Sequence, residues 1–159
     1  MAYQLVEKTP HTPKEFSCKF YLKERNGDDK IDVLIISFFG EYPKGSLGNL
    51  HGGFIARKAI EGLMSFNVQA IVLDFREMYY TYGNTLLKVF QDIYQYMDAG
   101  NDEDDSLFPI LVVMSRKNSD GILSLLTPVG SESIPEFCFS DINDAVASAT
   151  KKGQYWLDN

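Results

Sequence analysis

The segment from Ala70 to Leu87, AIVLDFREMYYTYGNTLL, decides the fold of this chain. It opens with AIVLDF, which is apolar except for one aspartate, a pattern typical of a strand buried on both faces. An aromatic-rich turn follows, and from Leu86 onward apolar side chains recur at helical spacing. In open α/β proteins, strand carboxyl ends and helix amino ends converge at such a turn and bind ligands or partners there. We therefore expect a functional surface at this turn.

Strands and helices alternate on both sides of this segment. The periodicity predicts five strands, at residues 16–22, 31–39, 70–75, 109–115 and 136–140. It predicts four helices, at residues 50–66, 85–97, 120–126 and 141–151. This succession indicates the α/β class: a single domain with a mainly parallel sheet, an antiparallel N-terminal hairpin and helices packed on the sheet.

Several local features follow from turn and cap chemistry. Asn26-Gly27 suits a tight turn in the hairpin, since both residues tolerate positive φ. Ser119 is the predicted N-cap of the third helix. We expect a single domain over the whole chain, with residues 1–15 as a lead segment and residues 152–159 as a C-terminal tail. That tail is expected to fold back because Trp156 would otherwise expose a large apolar surface.

Composition narrows the classes of function. The 159 residues carry a formal net charge of -7, which disfavours binding to nucleic acid or to an anionic membrane and favours a basic protein partner. No apolar run approaches the roughly 20 residues of a membrane helix, and the N-terminus lacks a secretory signal, so we expect a cytoplasmic protein. Cys18 and Cys138 have no metal-ligand spacing and are expected to be buried, so no metal or cofactor is predicted.

The order of elements between Ile31 and Thr150 resembles the STAS domain, the sulfate transporter and anti-sigma antagonist module. The resemblance rests on a strand ending in Gly, a helix, VLDF, a short turn, a long helix, PILVV, a further helix and EFCFSDINDAVASA as the terminal strand and helix. In anti-sigma antagonists of that family, the turn carries a phosphorylatable Ser. Asn84 stands at that position here, with Thr85 next to it. The resemblance implies a regulatory protein that docks a kinase or sigma-factor antagonist, without the phosphoryl switch at Asn84.

The same turn is also similar to the FSAGxDL motif of the crotonase and Clp-protease superfamily, here Tyr80 to Leu86. That resemblance implies that an amide near Gly83 helps to form an oxyanion hole for an acyl thioester. The second amide would come from the stretch SRKNSDG, where Arg116 replaces the expected first Gly. A crotonase-type hydratase or isomerase is therefore one alternative.

Charged residues at the end of the predicted strand leave two interpretations open. Asp74, Arg76 and Glu77 could act on a ligand as a paired acid and base, or they could form a salt bridge that ends the strand. The dense tyrosines after them suit a protein interface, since Tyr offers contact area at low entropic cost, but they could instead fill the gap between two helices.

The leading hypothesis from the sequence is a non-catalytic protein-binding domain. Its most concrete form resembles a small acidic bacterial immunity protein that neutralises a toxin, as in contact-dependent growth inhibition. The STAS-like regulator and the crotonase-type enzyme are the alternatives. No catalytic residue is assigned, and the predicted partner contacts are Tyr79, Tyr80, Tyr82, Asn84, Asp102, Glu103, Asp104 and Asp105.

Overall fold

A computed structural model describes residues 2–25, 27–98 and 107–159. Its centre is a five-stranded mixed sheet in which the strands lie side by side in chain order. The first pair is antiparallel and the other three pairs are parallel. The strands are β1 (Ser17–Leu22), β2 (Val33–Glu41), β3 (Ala70–Tyr79), β4 (Ile110–Val113) and β5 (Cys138–Phe139). The predicted α/β class, with its N-terminal hairpin, is confirmed.

Helices cover the two faces of the sheet unequally. They are α1 (Asn49–Ser65), α2 (Leu87–Asp98), α3 (Ser119–Leu126) and α4 (Ile142–Asp158). The first three contribute to one large core, whereas α4 alone packs on the opposite face through Ala145 and Ala149. Short 3-10 turns at Gly45–Gly48 and Asn84–Leu86 precede α1 and α2. No helix in the described ranges is long and apolar enough to span a bilayer.

The predicted hairpin turn and the predicted N-cap of the third helix differ from the structure. The link between β1 and β2 runs from residue 23 to residue 32, because Leu22 pairs with Leu34, so it is longer than a tight turn. Within it, Gly27 does have a positive φ of 61°, while Asn26 lies outside the described residues. Ser119 is the first residue of α3, and Asn118 precedes it at the cap.

The predicted tail is part of the last helix. Residues 152–158 continue α4 without a break, so the chain does not fold back. Trp156 lies on this helix, and its ring packs edge-on against Phe108 with centroids 5.0 Å apart. The apolar surface of Trp156 is therefore covered by the packing of a helix and not by a folded-back tail. Asp141 caps this helix by accepting hydrogen bonds from the amides of Asn143 and Asp144.

A β-bulge interrupts the pairing of β2 with β3. Ser37 pairs with Asp74 and Phe39 pairs with Glu77, so two residues of β3 face one residue of β2. A bulge of this kind leaves backbone groups without ladder partners and reverses the in-and-out alternation beyond it.

The reversal decides which aromatic side chains reach the surface. Phe75 before the bulge points into the large core, and Met78 and Tyr80 point there after it. Strict alternation from Phe75 would instead have turned Glu77 and Tyr79 inward. Because of the extra residue, Tyr79 is exposed and Tyr80 is buried.

Candidate functional site

An open cleft lies at the carboxyl ends of the parallel strands, where the chain crosses from β3 to α2. Its volume is about 610 Å³. One wall comes from Gly45 and Ser46, a second from six residues between Tyr80 and Leu87, and a third from α3. This is the place where the sequence predicts a functional surface.

Tyr80 supports the floor of the cleft from inside the protein. Its side chain is 2% exposed, and its hydroxyl donates a 2.6 Å hydrogen bond to the carbonyl of Gly83. Burial raises the pKa of Tyr80 to about 12, so the phenol remains a neutral donor. The ring packs edge-on against Tyr42 with centroids 5.3 Å apart. Tyr80 therefore fixes the shape of the loop and does not offer a contact surface.

A second tyrosine ties the end of β2 to the same loop. The amide of Tyr42 donates to the carbonyl of Tyr79 at 2.7 Å. The Tyr42 hydroxyl lies 2.6 Å from Oγ1 of Thr85, and burial raises the pKa of Tyr42. Thr85, adjacent to Asn84, is thus held in a structural hydrogen bond.

Two glycines let neighbouring backbones approach this loop. Gly83 has φ 140° and ψ 146°, a conformation that side-chain-bearing residues rarely adopt. A Cβ at Gly83 would lie 3.1 Å from the amide nitrogen of Gly45. A Cβ at Gly121, in the first turn of α3, would lie 2.3 Å from the carbonyl oxygen of Thr81. The cleft walls are therefore set by backbone packed on backbone.

The buried Asp74 forms an ion pair at the bulge with the partly exposed Arg76. Its carboxylate is 4% exposed and accepts hydrogen bonds from Ser37 Oγ at 2.7 Å and from Arg76 Nε at 2.8 Å. The backbone amide of Arg76 also donates to it. Burial alone would raise the pKa of Asp74, but the hydrogen bonds from Arg76 and Ser37 outweigh burial and hold that pKa below its ordinary value. Of the two interpretations of these charges, the structure shows the salt bridge.

Asn118 satisfies the backbone carbonyls that the bulge releases. Its Nδ2 donates to the carbonyls of Phe75 and Met78, the latter at 2.8 Å. Its Oδ1 accepts from the amide of Ser115, whose own hydroxyl donates to the carbonyl of Arg76 at 2.7 Å. Neither Asn118 nor Ser115 is among the functional residues predicted from the sequence. The available indication was a polar SRKNS run directly after a buried strand, at the sheet end where β3 also terminates.

Four backbone amides in the segment after β4 already donate hydrogen bonds within that segment, so they are not available as oxyanion-hole donors. The amide of Ser115 donates to Asn118, and that of Lys117 donates to the Ser115 hydroxyl. The amides of Asn118 and Ser119 both donate to the Ser115 carbonyl. Since these groups are already bonded within the segment, the arrangement expected from the crotonase resemblance is not formed by them.

The predicted contact residues divide into three groups. Tyr82 and Asn84 are exposed at the cleft, and Tyr80 lies buried beneath them. Tyr79 is exposed on the opposite face of the sheet, where the ammonium group of Lys117 lies 5.1 Å from its ring centroid. The predicted acidic contacts Asp102, Glu103, Asp104 and Asp105 lie outside the described residues.

Exposed leucines lie in the elements that pack around the cleft. Leu47 lies in the 3-10 turn that packs against residues 84–86, and Leu50 lies in the first turn of α1 beside it. Leu87 opens α2. We call the exposed set the end surface; it consists of Leu47, Leu50, Tyr82, Asn84 and Leu87. Exposed apolar side chains grouped in this way are typical of interaction sites.

His51 lies behind this surface with an unsatisfied ring nitrogen. Its Nδ1 is buried and has no hydrogen-bond partner among the described residues. The ring packs edge-on against Phe16 at 4.9 Å and lies 5.8 Å from the Tyr42 ring. Burial lowers the pKa of His51 because the charged imidazolium loses hydration there.

The free energy of unfolding is expected to decrease between about pH 7.5 and 5.5 because of His51. Its folded-state pKa lies below the unfolded value, so the unfolded chain takes up the proton first as pH falls. Urea unfolding across this range measures the slope, and His51→Phe should flatten it. The exposed His11 provides the matched variant, His11→Gln, which should leave the slope as in the parent. An equal flattening in both variants would refute the assignment.

Comparisons with known proteins give a distant structural likeness. No family model and no curated protein sequence matches this chain. Among solved structures, it is similar to an anti-sigma factor antagonist from Mycobacterium paratuberculosis, with 18% sequence identity and a TM-score of 0.49. The alignment covers 84% of this chain and 94% of that one. At this TM-score the likeness assigns neither a family nor a function to the chain.

Proposed function

We propose that this chain is a non-catalytic protein-binding domain that docks a partner on its end surface. The observation that supports this proposal is the group of exposed apolar side chains around a cleft whose floor is held by Tyr80 and Tyr42. A rigid apolar patch can bind a protein without the entropic cost of ordering a loop. The end of a parallel sheet is also where α/β proteins commonly place their binding sites.

A regulatory role of the STAS type is the form of this function that we favour. Every element that the STAS resemblance predicts between Ile31 and Thr150 is present, in the predicted order. Asn84 offers no hydroxyl, and Thr85 is engaged with Tyr42, so we propose that docking is independent of phosphorylation at positions 84 and 85. Fold alone does not define function, which is why the partner must decide the question.

A second candidate is the toxin-neutralising immunity role. The net charge of -7 favours it, because a basic toxin domain would be attracted to an acidic protein. The two roles differ in partner and in salt dependence. Binding to a kinase or sigma-factor antagonist encoded beside this gene would favour regulation. Tight binding to a basic toxin domain, steeply weakened by salt, would favour immunity.

The end surface is testable with the double variant Tyr82→Ala, Leu87→Asp. We expect it to weaken binding to the product of a neighbouring gene by at least about 30-fold, since central interface residues contribute about 2 kcal/mol or more. Isothermal titration calorimetry measures the affinity. Both side chains are exposed, so the melting temperature should stay near that of the parent.

The matched control is Tyr155→Ala, an exposed tyrosine on α4. It should bind as the parent does. Equal affinity of all three proteins would remove the end surface from the proposal. Acyl-CoA turnover by the parent that disappears with a Gly83 substitution would replace the proposal with the crotonase-type alternative.

A further inference from the structure

We propose that the cleft receives one neutral aromatic side chain with a polar tip, a Tyr or Trp, from the protein partner. This inference rests on the proposed function and specifies the chemistry of the residue that the partner inserts. It follows from the charge of the cleft lining, from its division into apolar walls and polar rim, and from the rigidity of its floor.

The lining of the cleft carries no charged side chain among the described residues. A Lys, Arg, Asp or Glu side chain that entered the cleft would lose hydration and meet no opposite charge from this lining. The partner residue is therefore a neutral one.

The lining of the cleft combines apolar side chains with hydroxyl groups. Leu87, Leu125 and the ring of Tyr82 supply apolar walls. The hydroxyls of Ser46 and Ser124 supply polar groups in the same lining. Both serines are exposed, so water can bond to their hydroxyls in the free protein, and an aliphatic occupant would displace this water without replacing its hydrogen bonds. A Tyr or Trp ring presents both a broad apolar body and one hydrogen-bonding atom, and tyrosine and tryptophan are enriched among interface anchors.

The floor of the cleft is held by contacts within the protein itself. The Tyr80 hydroxyl holds the Gly83 carbonyl, and the amide of Gly45 donates to the Tyr82 carbonyl at 3.3 Å. The backbone of Gly121 lies against Thr81 with no room for a Cβ. Because these contacts exist in the free protein, the cleft is preformed, and little ordering cost opposes entry of a rigid ring.

Side-chain analogues test the inference without the partner. The probes are p-cresol and 3-methylindole, which represent Tyr and Trp, and 4-methylcyclohexanol, the saturated counterpart of p-cresol. Propionate and n-butylammonium represent the charged side chains. Each is titrated into the ¹⁵N-labelled full chain, and the amide shifts of Gly45, Gly83 and Gly121 report on the cleft.

We expect the two aromatic probes to shift these amides with dissociation constants in roughly the millimolar range, as for other small fragments. Ser124→Phe, which fills the cleft from an exposed helical position, should weaken both by at least tenfold. Ala147→Phe, on the exposed side of α4, should leave binding unchanged. The affinities should not change with added salt, since no charge is involved.

Three results would overturn the inference: no cleft shifts with either aromatic probe, equal or tighter binding of a charged or saturated probe, or aromatic binding that Ser124→Phe does not weaken. These outcomes are separate from the proposed function, which fails if end-surface variants leave partner affinity unchanged. A partner that binds the end surface while the aromatic probes do not bind would refute this inference alone.

Discussion

Asn118→Leu should lower the free energy of unfolding by about 2–4 kcal/mol. Asn118 is 2% exposed and its amide joins three backbone groups, the carbonyls of Phe75 and Met78 and the amide of Ser115. Leucine would leave all three buried without partners. Each buried polar group left without a partner costs about 1–3 kcal/mol. The total loss is smaller where the backbone relaxes and lets water reach these groups.

The measurement is urea unfolding monitored by circular dichroism, with Asn143→Leu at an exposed position of α4 as the matched control. The control should change stability by less than about 0.5 kcal/mol. Asn118→Asp offers a sharper test, because it keeps the acceptor for the Ser115 amide but replaces the amide donor with a carboxylate facing two carbonyls. It should be at least as destabilising as leucine near neutral pH. Wild-type stability in both variants would contradict the role assigned to Asn118.

The order of elements was predictable from the sequence, because each strand and helix carries its own pattern. The double-sided apolar run of β2 predicts an interior strand, and Ile35 and Ile36 are buried on opposite faces. Likewise, Leu86, Phe90, Ile93 and Met97 predict the apolar stripe of the second helix; the first three are buried and Met97 is partly buried, although Leu86 lies in the 3-10 turn before α2. Local patterns of this kind depend on nearby residues alone.

The arrangement of the site was only partly predictable, because it depends on contacts between distant segments. The turn after β3 forms one wall of the cleft, and the AIVLDF pattern predicts a functional surface at this turn. The exposure of Tyr79 and the burial of Tyr80 result from the bulge, where backbone carbonyls accept hydrogen bonds from Asn118, a residue far along the chain. Period-two alternation within β3 contains no information about that partner. The same holds for Leu47, which reaches the end surface only because its turn packs against residues 84–86.

Gly121→Ala should lower the free energy of unfolding by about 1–3 kcal/mol and also disturb the cleft, although alanine normally favours a helix. A Cβ at Gly121 would lie 2.3 Å from the carbonyl oxygen of Thr81 and 3.0 Å from the Tyr80 ring. The nearest obstacle is backbone, so the added methyl group must push the cleft loop away from α3. We expect the amide shifts of Gly45 and Gly83 to change in the variant.

The same substitution at Gly53, Gly53→Ala, should have the opposite effect on the free energy of unfolding. Gly53 lies inside α1, and the nearest atom to an added Cβ is the Arg57 guanidinium at 3.9 Å, so nothing needs to move. Alanine there should raise the free energy of unfolding by about 0.5–1 kcal/mol, because it restricts the unfolded backbone at no steric cost. Thermal and urea unfolding of the two variants compare the signs directly. If Gly121→Ala matched Gly53→Ala in sign, the loop would be free to yield, and the rigid floor on which the aromatic cleft depends would not exist.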